Sequence, residues 1–155
     1  MKRVRDLASK IDLTLLKADA SLSEVEELCR RASEYGFAAV CVAPCWARVA
    51  SERLRGSGVK VCCVVSFPLG ASMGEVKAFE AAKAVEAGAL EVDVVVNHGA
   101  VKSGRFDLVE EELSLVVEAV KDRGGEVVKA IVEVPLLAEE ELRKACRAAV
   151  EAGVD

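Results

Sequence analysis

The sequence has few aromatic residues, no apolar run long enough to span a bilayer and no concentration of charge of one sign. Its 155 residues are 52% hydrophobic and 30% charged but only 4% aromatic, with a net charge of −5. Basic residues neither cluster on a face nor alternate with aromatic ones, which argues against a nucleic-acid partner. The basic start of the chain is not followed by the apolar segment of a signal peptide. We therefore expect a cytoplasmic protein without a membrane or nucleic-acid partner.

Histidine is nearly absent, and cysteine does not occur in the spacing of a zinc site. The sequence contains His98 as its one histidine and no Cys-x-x-Cys pair, so we predict no metal ion. Most cysteines lie in apolar stretches, where a free thiol packs as a small hydrophobic group. Reduced core thiols are expected; a Cys41–Cys45 disulfide would require an oxidising compartment or a hyperthermophilic source. The six cysteines are at positions 29, 41, 45, 62, 63 and 146.

Short β-branched segments alternate along the chain with longer segments of helical periodicity. A capping box, Ser21-Leu-Ser-Glu24, predicts one helix start, and Gly36 predicts the end of that helix. The predicted strands cover residues 11–16, 38–43, 59–67, 91–97 and 127–134. The predicted helices cover residues 2–10, 21–35, 44–56, 74–87, 106–123 and 138–152, and a polar loop is expected at 98–104.

This alternation contains no hairpin signal and therefore predicts parallel strands joined by helical crossovers. An open doubly wound sheet and a closed barrel both fit the pattern. A nucleotide-binding doubly wound domain is less consistent with it, because neither G-x-G-x-x-G nor a P-loop follows the first strand. We predict a single α/β domain over residues 1–155, a partial (β/α)8 TIM-type barrel of five βα units after a short N-terminal helix.

The fourth predicted strand carries acidic residues on one face. Side chains alternate along a strand, so Glu91, Asp93, Val95 and Asn97 share one face and three valines share the other. Burying an unpaired carboxylate costs several kcal/mol, so Asp93 requires a partner or a function. A polar barrel interior would supply such a partner or function. The alternative interpretation is that this strand face is exposed to solvent.

The fifth predicted strand repeats the pattern with Lys129, Ile131 and Glu133 on one face. A lysine converging with Asp93 and Glu133 would form a charge cluster of the kind that shifts pKa values and supports acid–base chemistry. The alternative is a structural ion pair. Lys129 lies early in its strand and fits that structural role better, while Glu133 lies late, toward the end where barrel active sites form.

Three further residues are candidates from their positions alone. Asp12 and Thr14 share a face of the first strand, although Asp12 could equally cap a turn. Cys41 lies mid-strand on a face with small residues, which favours packing over nucleophilic catalysis. Phe67 is a core or cleft aromatic residue.

Taken together, five segments resemble the deoxyribose-phosphate aldolase family over essentially the whole chain. They are Ile11-Asp-Leu-Thr-Leu-Leu16, Ala38-Ala-Val-Cys-Val-Ala-Pro44, Val64-Val-Ser-Phe-Pro-Leu-Gly70 followed by Glu75 and Lys77, Gly88-Ala-Leu-Glu-Val-Asp-Val-Val95 and Val128-Lys-Ala-Ile-Val-Glu133. The resemblance implies a class I aldolase that reversibly cleaves 2-deoxy-D-ribose 5-phosphate to glyceraldehyde 3-phosphate and acetaldehyde through a lysine Schiff base, without a cofactor. It implies a proton-relay role for Asp93 and positions lining the cleft for Asp12, Thr14, Cys41 and Phe67. Lys129 matches a strand-five lysine near the centre of the cleft that is not the Schiff-base residue.

The family's Schiff-base lysine belongs to a Lys-Thr-Ser-Thr-Gly segment that this sequence does not contain. In the family that segment follows a junction like residues 152–155, so we expect a chain cut before the lysine strand and inactive alone. A non-catalytic interaction module is the alternative. In either case, exposed sheet edges and helix flanks predict a homo-oligomer.

Overall fold

A computed structural model of the chain describes residues 6–155, and its regular structure consists of strands that alternate with helices. The strands are β1 (Asp12–Leu15), β2 (Ala39–Val42), β3 (Lys60–Val65), β4 (Glu91–Val95) and β5 (Val127–Ile131). The helices are α1 (Leu22–Tyr35), α2 (Ala47–Leu54), α3 (Gly74–Glu86), α4 (His98–Lys102), α5 (Phe106–Lys121) and α6 (Glu139–Glu151), with 3-10 turns at Pro44–Trp46 and Val134–Leu136. All four strand pairings are parallel and follow chain order, as predicted.

Helix α1 has the predicted boundaries. The Glu24 backbone N–H donates to Ser21 Oγ at 3.3 Å, and the Ser21 backbone N–H donates to Glu24 Oε2 at 2.8 Å. At the other end Gly36 has φ 70°, a left-handed conformation that costs glycine little. Its N–H donates to the Ala32 carbonyl at 3.0 Å.

The two faces of the sheet differ in chemistry because side chains alternate along each strand. One face packs valines such as Val40, Val92 and Val128 against the helices, and these side chains are fully buried. The opposite face carries a small buried cluster of Ala39, Cys41, Cys62 and Val64, and charged residues adjoin it. Lys129 of β5 reaches Asp12 of β1 at 2.7 Å, so the sheet curves until its first and last strands face each other. We call this concave side the inner face.

Three predicted elements require correction. Residues 98–102 form helix α4 instead of a loop, because Asn97 accepts the Ala100 N–H at 3.0 Å as an N-cap. Strand β5 ends at Ile131 instead of residue 134, and Glu133 has a left-handed φ of 48° before the turn Val134–Leu136. The predicted helix from residue 44 is a 3-10 turn that begins with Pro44 and leads into α2.

The predicted leading helix is visible only in part. Of the predicted helix over residues 2–10, residues 6–8 are helical and residues 9–10 form a turn. Residues 2–5 lie outside the described residues. Among the described residues, no helix combines the length and the apolar character needed to cross a membrane.

Candidate active site

Lys129 and three carboxylates meet on the inner face, where Lys60 of β3 also pairs with Glu91 at 3.3 Å. Asp93 and Lys129 are paired in register on β4 and β5, and Glu91 lies two residues before Asp93 on the same face of β4. Lys129 Nζ is 2.7 Å from Asp12 Oδ2, 3.1 Å from Glu91 Oε2 and 3.2 Å from Asp93 Oδ1. The predicted cluster of Lys129 with Asp93 therefore forms, with Asp12 and Glu91 as its other acids.

The surroundings keep Lys129 protonated. Burial, the largest single influence, lowers the pKa of its ammonium group. The hydrogen bond to Asp12, the charge of Asp93 and the hydrogen bond to Glu91 act in the opposite direction, and the net pKa is well above its usual 10.5. A protonated amine has no lone pair for attack on a carbonyl, so Lys129 in this setting is a cation that holds carboxylates and not a nucleophile.

Asp93 is the member of the cluster with an unused acceptor. Lys129 directs hydrogen bonds to Asp12 and Glu91, and its 3.2 Å approach to Asp93 Oδ1 is an ionic contact without hydrogen-bond geometry. Oδ1 is buried and accepts no hydrogen bond from the described residues. A buried carboxylate oxygen without a donor is costly, so this atom is suited to accept a hydrogen bond from a bound hydroxyl group or water.

Two thiols adjoin this carboxylate. Cys41 and Cys62 are paired in register on β2 and β3, and both are buried. Cys41 Sγ lies 4.0 Å from Asp93 Oδ2. Interaction with the Cys41 thiol, burial and the charge of Asp93 together raise the pKa of Cys62, while Cys63, on the opposite face, has its pKa raised to about 12 mainly by burial.

Two sets of potential metal ligands occur among the described residues. The ligand atoms of Cys41, Cys62 and Asp93 lie within 4.8 Å of one another. The ligand atoms of Asp12, Cys62 and Glu91 meet the same limit. No cofactor was predicted from the sequence, and neither set resembles the Cys and His spacings of structural zinc sites.

Three predicted cleft residues lie outside the charged cluster. Glu133 is exposed in a left-handed turn, so the prediction that it shares a strand face with Lys129 is wrong. Thr14 is exposed, and its Oγ1 donates to the Asp12 carbonyl at 3.0 Å. Phe67 is 44% exposed and lines a separate cleft of about 420 Å³ with Ser66 and Glu80.

Sequence reasoning missed a second polar network, on the helix side of β4. Lys77 of α3 is fully buried, and its Nζ donates to the Val95 carbonyl at 3.2 Å and to Glu112 at 2.7 Å. Glu112 in turn accepts a hydrogen bond from the Asn97 side chain at 3.0 Å. The signal available in the sequence was a lysine at a helix position otherwise occupied by apolar residues. The network holds the end of the strand that carries Asp93.

Comparison with known proteins identifies the family of the chain. The sequence profile of the DeoC/LacD family aldolases matches residues 7–155. The chain belongs to this family. A deoxyribose-phosphate aldolase of Geobacillus sp. (strain WCH70) is 52% identical over 150 residues, which are 97% of this chain and 66% of the relative. The enzyme of the same name from Thermoanaerobacter sp. (strain X514) is 51% identical over 97% of this chain and 67% of the relative.

A solved structure extends the likeness to the backbone. The tetrameric deoxyribose phosphate aldolase of Aeropyrum pernix matches with a TM-score of 0.89 at 39% sequence identity, over all of this chain and 64% of that one. The predicted α/β fold with barrel-type βα units is therefore confirmed. The chain spans about two thirds of the length of these relatives.

Proposed function

We propose that this chain is part of a deoxyribose-phosphate aldolase in which Asp93 relays protons during cleavage of 2-deoxy-D-ribose 5-phosphate. The observation that carries this proposal is the Asp93 carboxylate on the inner face, whose buried Oδ1 accepts no hydrogen bond from the described residues and lies 3.2 Å from the Lys129 ammonium. The names and identities of the relatives support the substrate, a phosphorylated sugar.

The chemistry requires a proton relay at two points. A neutral amine adds to the C1 aldehyde to give a carbinolamine, whose hydroxyl must be protonated before it leaves as water and an imine forms. The C2–C3 bond then breaks as the C3 hydroxyl loses its proton, which yields glyceraldehyde 3-phosphate and an enamine that hydrolyses to acetaldehyde. A carboxyl group within hydrogen-bond reach can pass a proton in either direction at such steps.

Lys129 is not the proposed amine, because three carboxylates keep it protonated. Its proposed role is to hold Asp93 in place and to balance its charge. Lys77 is fully buried on the other side of β4 and bound to Glu112. The chain also does not contain the Lys-Thr-Ser-Thr-Gly segment of the family's Schiff-base lysine. We therefore propose that the Schiff-base amine belongs to a part of the enzyme outside these 155 residues, and that the 155-residue chain alone does not cleave the substrate.

The first experiment tests the chain alone. Residues 1–155 are incubated with 2-deoxy-D-ribose 5-phosphate and borohydride, and the products and the protein mass are measured. We expect neither cleavage above background nor a reduced adduct. A substrate-dependent adduct on Lys129 would contradict the assignment of this lysine.

A second experiment joins residues 1–155 to the C-terminal third of the Geobacillus relative. In this chimera Asp93→Asn is expected to lower kcat by about 10²–10⁴-fold, the typical contribution of general acid–base catalysis. Glu133→Gln is the matched control, because Glu133 is exposed and lies outside the cluster. An Asp93→Asn chimera as active as the control would contradict the relay role.

Self-association is the second part of the proposal. Strands β1 and β5 each have only one hydrogen-bonded neighbour among the described strands, and apolar side chains beside β5 are exposed, notably Val150 at 72%. The Aeropyrum pernix relative is tetrameric. We propose that this surface binds a second copy of the chain, and a separately supplied C-terminal part of the enzyme is the alternative partner.

A further inference from the structure

Two buried thiols and a carboxylate on the inner face form a group that the proposed aldolase chemistry uses only in part. Cys41 is 3% exposed and Cys62 is fully buried, and they are direct partners across β2 and β3. With Asp93 they place three ligand atoms within 4.8 Å of one another. Core thiols usually face apolar atoms, whereas here a carboxylate oxygen lies 4.0 Å from the Cys41 sulfur.

The spacing is close to that of a tetrahedral metal centre. Zinc bonds of about 2.3 Å to sulfur and about 2.1 Å to oxygen imply ligand separations of about 3.8 Å between two sulfurs and about 3.5 Å between sulfur and oxygen. The observed 4.0 Å between Cys41 Sγ and Asp93 Oδ2 requires a contraction of about half an ångström, and the other two separations, each within 4.8 Å, require a contraction of up to about 1 Å. Small side-chain rotations would supply this movement.

The charge around the group also allows a cation. Lys129 approaches Asp93 through Oδ1, whereas the thiol of Cys41 approaches Oδ2. Lys129 is shared with Asp12 and Glu91, and Lys60 pairs with Glu91 at 3.3 Å and with Glu126 at 2.7 Å, so four carboxylates adjoin two ammonium groups. The cluster therefore has a net negative charge, which a bound cation would partly neutralise.

We infer that Cys41, Cys62 and Asp93 form a binding site for a soft divalent metal ion of the zinc or cadmium type. On binding, both thiols release their protons to solvent and coordinate as thiolates, and Asp93 Oδ2 supplies the third ligand. Water takes the fourth position. Because the ion occupies the carboxylate proposed as the proton relay, it inhibits the proposed activity; metal binding itself does not rest on that function.

Cadmium is the probe, because thiolate coordination gives it an ultraviolet charge-transfer band. The exposed thiols are first removed as Cys45→Ser and Cys146→Ser, and the protein is kept reduced with a phosphine. Titration with cadmium chloride is expected to give one bound ion per chain by native mass spectrometry, together with the charge-transfer band. Cys41→Ser or Cys62→Ser in this background should abolish the band.

Two further variants separate the proposed site from simple thiol reactivity. Asp93→Asn should weaken cadmium binding by at least about tenfold, the smallest loss commonly caused by removing even an outer-shell partner. Cys29→Ser is the control, since Cys29 is buried on the helix side and should leave binding unchanged. Where a serine variant does not unfold cooperatively, the alanine variant takes its place, because alanine already occupies inner position 39.

Three results would overturn the inference. They are the absence of a bound ion in the background variant, a band that survives both Cys41→Ser and Cys62→Ser, and a band that Cys29→Ser abolishes. None of these measurements requires aldolase activity, so their failure and failure of the proposed function are distinguishable.

Discussion

At the scale of single residues, Lys77 is a fully buried charged side chain whose loss should destabilise the fold. Its ammonium group is fully buried, while its partner Glu112 is 15% exposed. Removing one member of a buried ion pair leaves the other charge desolvated and unpaired, and this typically costs 3–5 kcal/mol. Because Glu112 retains some contact with solvent, we expect Lys77→Met to lower the free energy of unfolding by about 3 kcal/mol, at the lower end of that range.

Urea unfolding of the chain measures this loss. The matched control is Lys83→Met on the same helix, because the Lys83 side chain is 56% exposed and pairs with Glu86 three residues away. Exposed pairs of this kind contribute about 0.5 kcal/mol or less. Equal urea midpoints for the two variants would contradict the view that the Lys77 network holds the end of β4.

At the scale of elements, helix α1 begins at a capping box that the sequence alone identified. Replacing an N-cap serine by alanine leaves a helix N–H without its acceptor and typically costs about 1 kcal/mol. We expect Ser21→Ala to reduce stability by that amount in thermal or urea unfolding. Ser114→Ala, an exposed mid-helix change in α5, should alter stability by less than about 0.5 kcal/mol. A loss in Ser21→Ala no larger than in this control would show that the cap contributes little.

Local signals explain why most element types could be predicted. Caps, glycine stops and the alternation of short β-branched and longer helical segments are properties of neighbouring residues. Helix α4 could not be predicted because five residues are too few to display a helical period, although Asn97 is an N-cap residue of the expected type. The alternation of side chains predicts a fifth strand up to residue 134, whereas the left-handed φ of 48° at Glu133 is incompatible with an extended strand.

The candidate site was predictable only in part, for a different reason. Asp93 could be identified because an acid in an otherwise valine-rich strand must face something polar. Its partners depend on strand register and on the curvature of the sheet, and neighbouring residues in the sequence determine neither of these. The contact of Asp12 with Lys129 spans 117 residues, and the pairing of Cys41 with Cys62 is set by the β2–β3 register.

At the scale of the whole molecule, the described sheet leaves apolar surface beside its last strand. Val134, Leu136 and Val150 are 57%, 53% and 72% exposed, and a hollow of about 280 Å³ there is lined by residues that include Ala130 and Val132. The Asp155 backbone N–H donates to the Val128 carbonyl at 3.0 Å, so Asp155 pairs with one position of the β5 edge. Exposed strand edges and apolar flanks favour association with another chain.

We therefore expect sedimentation velocity to show a concentration-dependent oligomer at micromolar concentrations, and Val150→Lys to shift it toward the monomer. Burying one valine side chain contributes about 1.5–3 kcal/mol, so losing this contact should weaken association at least about tenfold, because each 1.4 kcal/mol corresponds to one factor of ten. Leu69→Lys is the matched control: Leu69 is 75% exposed but lines the separate Phe67 cleft. A wild-type chain that stays monomeric, or dissociation by Leu69→Lys alone, would locate self-association elsewhere or exclude it.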